Sequence, residues 1–494
     1  MKLVSTAAQV REMDRHVIED LGVPGIALME TASRAVARAV ARLHRADAER
    51  GVVVVCGGGN NGGDGYACAR WLHGWGLPVA VYPLKEQLSG DAAINRDACR
   101  RLGVPFTDGL GDAGLLVDAV FGTGLDRPVG GRYRGVIEAM AAHSAPVLAV
   151  DLPSGIHADT GAVLGVAIPC ATTVTFGRLK PGLLGEPGAD YAGVVEVADI
   201  GIEVGGGDAV AEIPEPGDLA PLWPRRAPGD HKTRSGHLLV VAGSEAMTGA
   251  AILVCRGALA AGVGLLTVVG CRGMLPRLAG LPPETMMVVS GEGGRSEPVP
   301  TVVLKRHTAL AAGPGLGAGG SLGETMGGWL QHLWETSGLP LVFDADALPH
   351  TQGGSAAPRL VTPHPGEAAR LLDTSVHEVQ ADRFSAAKRL ATDGKVALLK
   401  GRNSLVAAER TRLSVNTANS SVLGTGGSGD VLTGVLGALL ARGVGAHDAA
   451  RLGAWVHGHA AQRLEARRTQ GWSAADVAAE IPAAIEALLA HGHP

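Results

Sequence analysis

The chain has 494 residues, and at 46% hydrophobic it can fill more than one core, which excludes general disorder. Aromatics are only 3%, so the cores rest on Ala, Val, Leu and Ile, and the 73 glycines follow no G-X-Y period, which excludes collagen. A net charge of −5 argues against a dedicated nucleic-acid binder, and six cysteines without a C-x-x-C pair argue against a disulfide scaffold or thiolate zinc site.

The first residues carry charge early and hold no signal-type apolar stretch, and no run approaches the ~20 apolar residues of a membrane span, so the expected class is a cytoplasmic α/β protein. Residues 5–22 read as a helix capped by Ser5 or Thr6, and 26–45 as a second helix. Val52–Val55 is an all-apolar β-branched run, as a buried parallel strand requires; it enters the loop GGGNNGGDG (57–65), with helix resuming over Tyr66–Trp75. Alternation continues with strand 79–82, helix 92–102, strand 115–120, a glycine-rich loop 121–131, helix 132–142, strand 147–150 ending at Asp151, and strand-like runs near 171–176 and 193–197. This alternation predicts a doubly wound, Rossmann-like parallel sheet over 1–202.

Residues 203–229 are rich in Gly and Pro and read as an interdomain linker or long irregular crossing. A second α/β domain is expected over 230–494, with strands 238–241, 265–269, 309–312, 341–344 and 396–399 and helices 248–262 and 428–442.

Ligands of open parallel sheets bind outside the carboxyl ends of the strands, and the polar clusters of this sequence fall there. Asn60, Asn61 and Asp64 follow the first strand of that sheet, Asp118 ends another and precedes GTGLDRP (122–128), and Asp151 leads into LPSG. Taken alone, the glycine run is as well read as a tight turn, and Asp118 as a satisfied strand-end carboxylate. Asn61, Asp118 and the Ser154 region could also supply oxygen ligands, which suit a hard cation and not zinc. In the second half, GTGGSGD (424–430) precedes a helix, so backbone N–H groups and the helix dipole favour an anion there. Asp430 at that point suits a proton acceptor for a substrate hydroxyl better than a simple N-cap. GPGLG (313–317), TPHPGE (362–367) and KGRNS (400–404) share the position after apolar runs and fit a phosphate-handling site.

With these motifs read, the first half resembles the NAD(P)H-hydrate epimerase family, through MDRHVIEDLGVPGIALME (13–30), CGGGNNGGDG (56–65), FGTGLDRPVGG (121–131), AVDLPSGIHADTG (149–161) and TFGRLKPGLL (175–184). The second half resembles the nucleotide-dependent NAD(P)H-hydrate dehydratase family, of ribokinase-like fold, through HKTRSGHLLVVAGS (231–244), TGAAILVCRGALAAGVGLLTV (248–268), GPGLG, DADAL (344–348), TPHPGE, LLKGRNS and GTGGSGD. Thr31, His157 and the run VLGTGG (422–427) depart from the usual family pattern.

The resemblance implies that one half interconverts the R and S epimers of hydrated NADH and NADPH. The other removes water from the S form with ADP, or with ATP as in eukaryotic members. It implies a hydrate pocket of Asn60, Asn61, Gly62, Gly63, Asp64, Gly122, Thr123, Gly124, Leu125, Asp126, Arg127, Pro128 and the catalytic Asp151, with potassium held by Asn61, Asp118 and Ser154. In the dehydratase half it implies hydrate contacts from Ala250, Gly315, His364 and the catalytic Asp430, and nucleotide contacts from Lys400, Gly401, Arg402, Asn403, Ser404 and Gly429. Glu367 is expected to organise Mg²⁺ through water. The competing reading is a kinase for a vitamin precursor or sugar alcohol fused to a non-catalytic binding module. The small net charge permits association, and a homo-oligomer is expected, without nucleic-acid or membrane partners.

Overall fold

The structure, a computed structural model, describes residues 1–202, 208–229, 231–317, 324–355 and 357–492. The chain divides into two compact units, Lys2–Ala211 and Glu212–Pro494, the latter grouped with Met1.

In the first unit the apolar runs form the middle of a sheet. Val52–Cys56, Leu115–Ala119 and Val147–Val150 are buried along their whole length. They belong to a six-stranded parallel sheet in the order Val79–Pro83, Val52–Cys56, Leu115–Ala119, Val147–Val150, Thr172–Phe176, Val194–Ala198. Side chains alternate between two cores: Val54, Val117 and Leu148 pack under one helical layer, and Val55, Leu116 and Ala149 under the other. Burial on both faces is what a doubly wound sheet requires. The strand order reverses between Val52–Cys56 and Leu115–Ala119, which makes that crevice the switch point where ligands of such sheets bind.

The glycine run differs from expectation. The helix begins at Asn60, not Tyr66, and extends to Gly74. A Cβ on Gly62 would lie 2.1 Å from the Gly57 carbonyl oxygen, and one on Gly65 would lie 2.5 Å from Ala119 Cβ. These glycines let the helix start directly on the sheet; their low helix propensity, about 1 kcal/mol each, is offset by that close packing. The first helix spans Ala7–Arg15, capped by Thr6 in a box with Gln9, and continues as a π-helical turn over His16–Asp20.

In the second unit the strands run, across the sheet, Leu413–Asn416, Ser404–Ala407, Val396–Leu399, Arg359–Val361, Leu341–Phe343, Ala309–Ala312, His237–Val241, Leu265–Gly270, Thr285–Val289. Pairing is parallel from Val396–Leu399 to Thr285–Val289 and antiparallel at the other end. One core gathers this sheet under helices Thr248–Ala260, Ser428–Ala441, Ala446–Glu465 and Ala474–Ala490. Glycines again set the closest approach: a Cβ on Gly434 would stand 2.0 Å from the Val254 carbonyl oxygen.

Of the expected linker, residues 203–207 lie outside the described residues. The remainder carries strand Ala211–Ile213 and helix Pro216–Leu219. Leu219, Ala220 and Trp223 are buried in the second unit's core, so 212–223 packs with that unit instead of crossing as irregular chain. Apolar anchors spaced among prolines made this segment read as linker. Among the described residues, no helix is long and apolar enough to cross a membrane.

Candidate active sites

The first site forms at the switch point. Asp151 follows Val147–Val150 with φ of +68°, a left-handed conformation that non-glycine residues rarely adopt. Its Oδ1 accepts from Lys180 Nζ at 2.8 Å and from Thr175 Oγ1 at 3.1 Å, and its Oδ2 from the Thr123 N–H at 3.2 Å. Lys180 is fully buried and also donates to Thr175 Oγ1 at 2.8 Å and the Phe176 carbonyl at 2.9 Å, so all three ammonium hydrogens have acceptors. These contacts fix the orientation of the Asp151 carboxylate.

Gly122 faces the same point. A Cβ there would stand 3.0 Å from both Asn61 Oδ1 and Asp151 Oδ2. Asp64, on the second turn of the helix that Asn60 opens, is buried and accepts from Ser33 Oγ at 3.3 Å. Burial, and then the negative charge of Asp151, push its carboxyl well above the ordinary range. Asp14 joins this group: burial pushes it up to about 6, with Lys180 opposing and Asp151 adding to the rise.

The structure thus brings together Asn61, Gly122, Thr123, Asp64 and Asp151. Asn60, the first residue of its helix, is exposed, as are Gly124, Asp126, Arg127 and Pro128 of the loop after Leu115–Ala119, while Leu125 packs on the core. The Cα of Gly62 and Gly63 faces protein, Met29 in the second case, so these two can meet a ligand only through backbone N–H groups. Lys180 and Asp14 were not singled out from sequence; each lies inside a matching motif, but nothing local reveals that they converge on Asp151.

Asp118 and Ser154 meet as expected. Asp118 is fully buried; its Oδ1 accepts from Ser154 Oγ at 2.6 Å and Val120 N–H at 3.2 Å, and its Oδ2 from Ser154 N–H at 2.7 Å. Burial pushes its carboxyl up to about 6, and among the described residues it has no Lys or Arg ion-pair partner. Asn61 Nδ2 is buried without a partner among the described residues. The Asp118 carboxylate and the Ser154 hydroxyl are oxygen donors of the kind a hard cation takes, whereas Asn61 Oδ1 is seen toward Gly122, on the side of Asp151 Oδ2.

The second site is a cleft of about 830 Å³ in the Glu212–Pro494 unit. Helix Ser428–Ala441 starts here, with Gly427 at its N-cap held at φ of +90°, and Asp430 in its first turn. Lys400, at the end of strand Val396–Leu399, pairs with Asp344 Oδ1 at 2.8 Å and lies 3.9 Å from Glu367. Thr433 Oγ1 donates to Asp344 Oδ2 at 2.8 Å. A Cβ on Gly429 would stand 3.5 Å from Lys400 Nζ and 3.8 Å from Asp344 Oδ2, so the helix start is open toward this pair. Burial, then the neighbouring charge of Asp344, raise Asp430 to about 7 against the pull of Lys400. Burial works against the Lys400 ammonium, but Asp344, Glu367 and Asp430 outweigh it and raise its pKa.

His364 lines the cleft and caps helix Pro365–Leu371: its Nδ1 accepts from Gly366 N–H at 3.0 Å and Glu367 N–H at 3.3 Å, which leaves the ring hydrogen on Nε2. Gly401, Arg402 and Ser404 line the cleft, but Asn403 does not. Asn403 is buried in the turn at φ of +51°, exchanging hydrogen bonds with Asn419, so it shapes the turn from behind. Ala250 and Gly315 stand against each other, a Cβ on Gly315 being 2.8 Å from Ala250 Cβ; neither lines this cleft. Asp344 and His457 were not singled out from sequence. His457 is buried in the cleft wall with Nε2 unpartnered among the described residues, and burial lowers its pKa to about 4.

Comparison with known proteins finds a separate family model for each half of the chain. Residues 25–182 match the model of the YjeF-related protein N-terminus, and residues 238–483 match that of NAD(P)H-hydrate dehydratase. A bifunctional NAD(P)H-hydrate repair enzyme of Moorella thermoacetica is 36% identical, covering 94% of this chain and 93% of its own. The chain belongs to the family of bifunctional NAD(P)H-hydrate repair enzymes.

Two further members of this family, from Thermofilum pendens and Escherichia coli, are 35% and 34% identical and cover 98% and 95% of this chain and 96% and 92% of their own. Among solved structures, an ADP/ATP-dependent NAD(P)H-hydrate dehydratase from Bacillus subtilis, co-crystallised with ATP and Mg²⁺, is 25% identical with TM-score 0.49, covering 56% of this chain and 99% of its own. Membership favours the repair-enzyme reading over a kinase fused to a silent binding module.

Proposed function

We propose that the Lys2–Ala211 unit interconverts the R and S epimers of NADH and NADPH hydrates, and that the Glu212–Pro494 unit dehydrates the S form with ADP or ATP. The observation that carries the reading is the convergence of Asp430, Lys400 and Asp344 on a glycine-capped helix start, in a chain whose relatives match along nearly their whole length.

Hydroxide leaves a ring carbon poorly. Transfer of a phosphoryl group to the hydroxyl oxygen makes the leaving group phosphate, and loss of a proton from the adjacent carbon then re-forms the C5–C6 double bond. Asp430 receives the hydroxyl proton, a role that its pKa of about 7 suits. Lys400 and the N–H groups of the helix start stabilise the moving phosphate charge. Gly401, Arg402, Ser404 and Gly429 border the nucleotide, with Asn403 holding their turn. Asp344 and Glu367 are the carboxylates that would hold the Mg²⁺ accompanying the nucleotide, which lowers the barrier by neutralising phosphate charge.

In the first unit, epimerisation breaks and remakes the bond from C6 to oxygen. Asp151, fixed by Lys180, exchanges a proton with the departing oxygen or steadies the cationic ring. Asn61, Asp118 and Ser154 would hold potassium, which would supply a counter-charge to the Asp118 carboxylate. The protein acts in the cytoplasm and as a homo-oligomer in this reading. Its test is an assay with purified protein, separated R and S hydrates and each adenine nucleotide. The S hydrate should regain the absorbance of NADH with release of phosphate. Stable phosphorylated product without regained absorbance would favour a kinase.

A further inference from the structure

The first helix, Ala7–Arg15, buries one face, and one residue breaks the pattern of that face. Ala7, Val10 and, in the turn that follows, Val17 are buried. Asp14 falls on the same stripe, four residues after Val10 and three before Val17. The helix's other acid, Glu12, is exposed and paired with Arg15. Asp14 is partly buried and has no hydrogen-bond partner among the described residues. A carboxyl set on a core-facing stripe without a partner costs stability, so a use for it is worth seeking.

The helix is seated over the epimerase site by contacts at both of its ends. The Ser5 N–H donates to the Leu179 carbonyl at 2.9 Å, beside Lys180. Arg11 Nη1 reaches the carbonyl of Thr123 at 3.5 Å, and the N–H of that same Thr123 donates to Asp151 Oδ2. Arg11 and Asp14 are three residues apart and so are neighbours on the helix surface. Lys180 and Asp151 are accordingly the charges that act on Asp14, and Asp14 in turn acts on Asp64. The three carboxyls gathered here differ in their surroundings. Asp151 is held by Lys180, Thr175 and Thr123. Asp64 is buried beside Ser33. Asp14 keeps open surface and no partner, which leaves it free to meet a ligand and to exchange a proton with it.

We propose that Asp14 is a further catalytic residue of the first unit, the acid that protonates the hydroxyl leaving C6 of the hydrate, with Asp151 facing the ring. The inference rests on the epimerase reading and divides between two carboxyls the roles that reading gives to one. Asp14 passes its proton to the hydroxyl oxygen. The C6–O bond breaks with its electron pair on the departing water, and the lone pair of the ring nitrogen closes a C6–N double bond. Asp151 steadies the resulting cation. Water then adds to the other face of the flattened ring and yields a proton to Asp151, and exchange through solvent returns a proton to Asp14, so that atoms and charge balance over the cycle. Burial raises Asp14 to about 6, with Lys180 opposing and Asp151 adding to the rise, which keeps its proton available near neutral pH. The charged and titratable groups around it are Arg11 on its own helix, Lys180 and Asp151 from the sheet side, and Asp64 from helix Asn60–Gly74.

The test follows separated R hydrate in an epimer-resolved assay without adenine nucleotide, on full-length wild type, Asp14→Asn and Asp14→Glu. Wild-type kcat/KM should fall as pH rises through about 6, where Asp14 loses its proton. Asp14→Asn should be slower by about 10²–10⁴-fold, in kcat more than in KM, and its residual rate should lack that limb of the pH profile. Asp14→Glu, which keeps a proton donor on a longer arm, should regain much of the rate and the limb with it. Near wild-type epimerisation by Asp14→Asn, or a limb near pH 6 that survives in it, would overturn the proposal. An Asp14→Glu protein as inactive as Asp14→Asn would overturn it too, since the site would then need the shape of Asp14 and not its proton. Wild type that leaves both hydrates unconverted would sink the epimerase reading and the proposal together, whereas wild-type epimerisation confines any failure to Asp14.

Discussion

Asp430→Asn is the sharpest perturbation of the dehydratase site, because activity and stability should move in opposite directions. The Asp430 carboxyl lies at about 7 against an ordinary 3.8, driven first by burial and then by Asp344. The folded protein therefore holds a proton there that the unfolded chain releases. The stability tied to that proton is complete below about pH 4 and lost as pH rises through about 7. Three pKa units correspond to at most ~4 kcal/mol, and discounting for the solvent that reaches this half-buried group leaves about 1–2 kcal/mol. Asn keeps the shape and carries no charge. At pH 8 Asp430→Asn should be more stable than wild type by about that amount in urea unfolding, and the difference should shrink toward pH 4. Dehydration, however, should fall about 10²–10⁴-fold. Wild-type kcat/KM for the S hydrate should rise with pH up to about 7 and then level off. Near wild-type turnover by Asp430→Asn, or an Asn variant less stable than wild type at pH 8, would refute the argument.

Lys180→Met should lose epimerisation and lower stability by about 3–5 kcal/mol, since it strands the buried Asp151 carboxylate; thermal melts and an epimer-resolved assay check both. Gly122→Ala should slow epimerisation at little cost to dehydration, because the added Cβ lands 3.0 Å from both Asn61 Oδ1 and Asp151 Oδ2; rates on separated epimers decide it. Potassium should raise the Tm of wild type but not of Asp118→Asn, and its effect should fade as pH drops through about 6, where the Asp118 carboxylate takes up a proton; equal shifts in both proteins would exclude Asp118 as a ligand.

Much of the fold is legible because buried parallel strands are written as short all-apolar runs: Val52–Cys56, Val147–Val150 and Val396–Leu399 stand out. Strands with mixed composition do not. Arg359–Val361 begins with an arginine that is fully buried in the structure, where it donates to carbonyls of Trp334, Ser337 and Leu339, and Ser404–Ala407 pairs antiparallel across a turn built by Asn403. The helix start at Asn60 was hidden because glycine there answers to the sheet beneath, a long-range constraint that local propensity does not carry. The sites follow the same division. Asp151 and Asp430 announce themselves by standing at strand and helix ends among glycines. Lys180, Asp14 and Asp344 act through partners up to 166 residues away in sequence, from Asp14 to Lys180, and only the fold brings them into range.

The central claim, that one unit supplies the S epimer which the other consumes, is tested most directly by the progress curve of a mixed sample. With ADP or ATP, wild type should return a mixture of R and S hydrate to NADH in a single phase. Asp151→Ala should split the curve into a fast phase equal to the S fraction and a slow phase at the spontaneous epimerisation rate, and added active epimerase should restore one phase. A single fast phase to completion from Asp151→Ala alone would contradict the account.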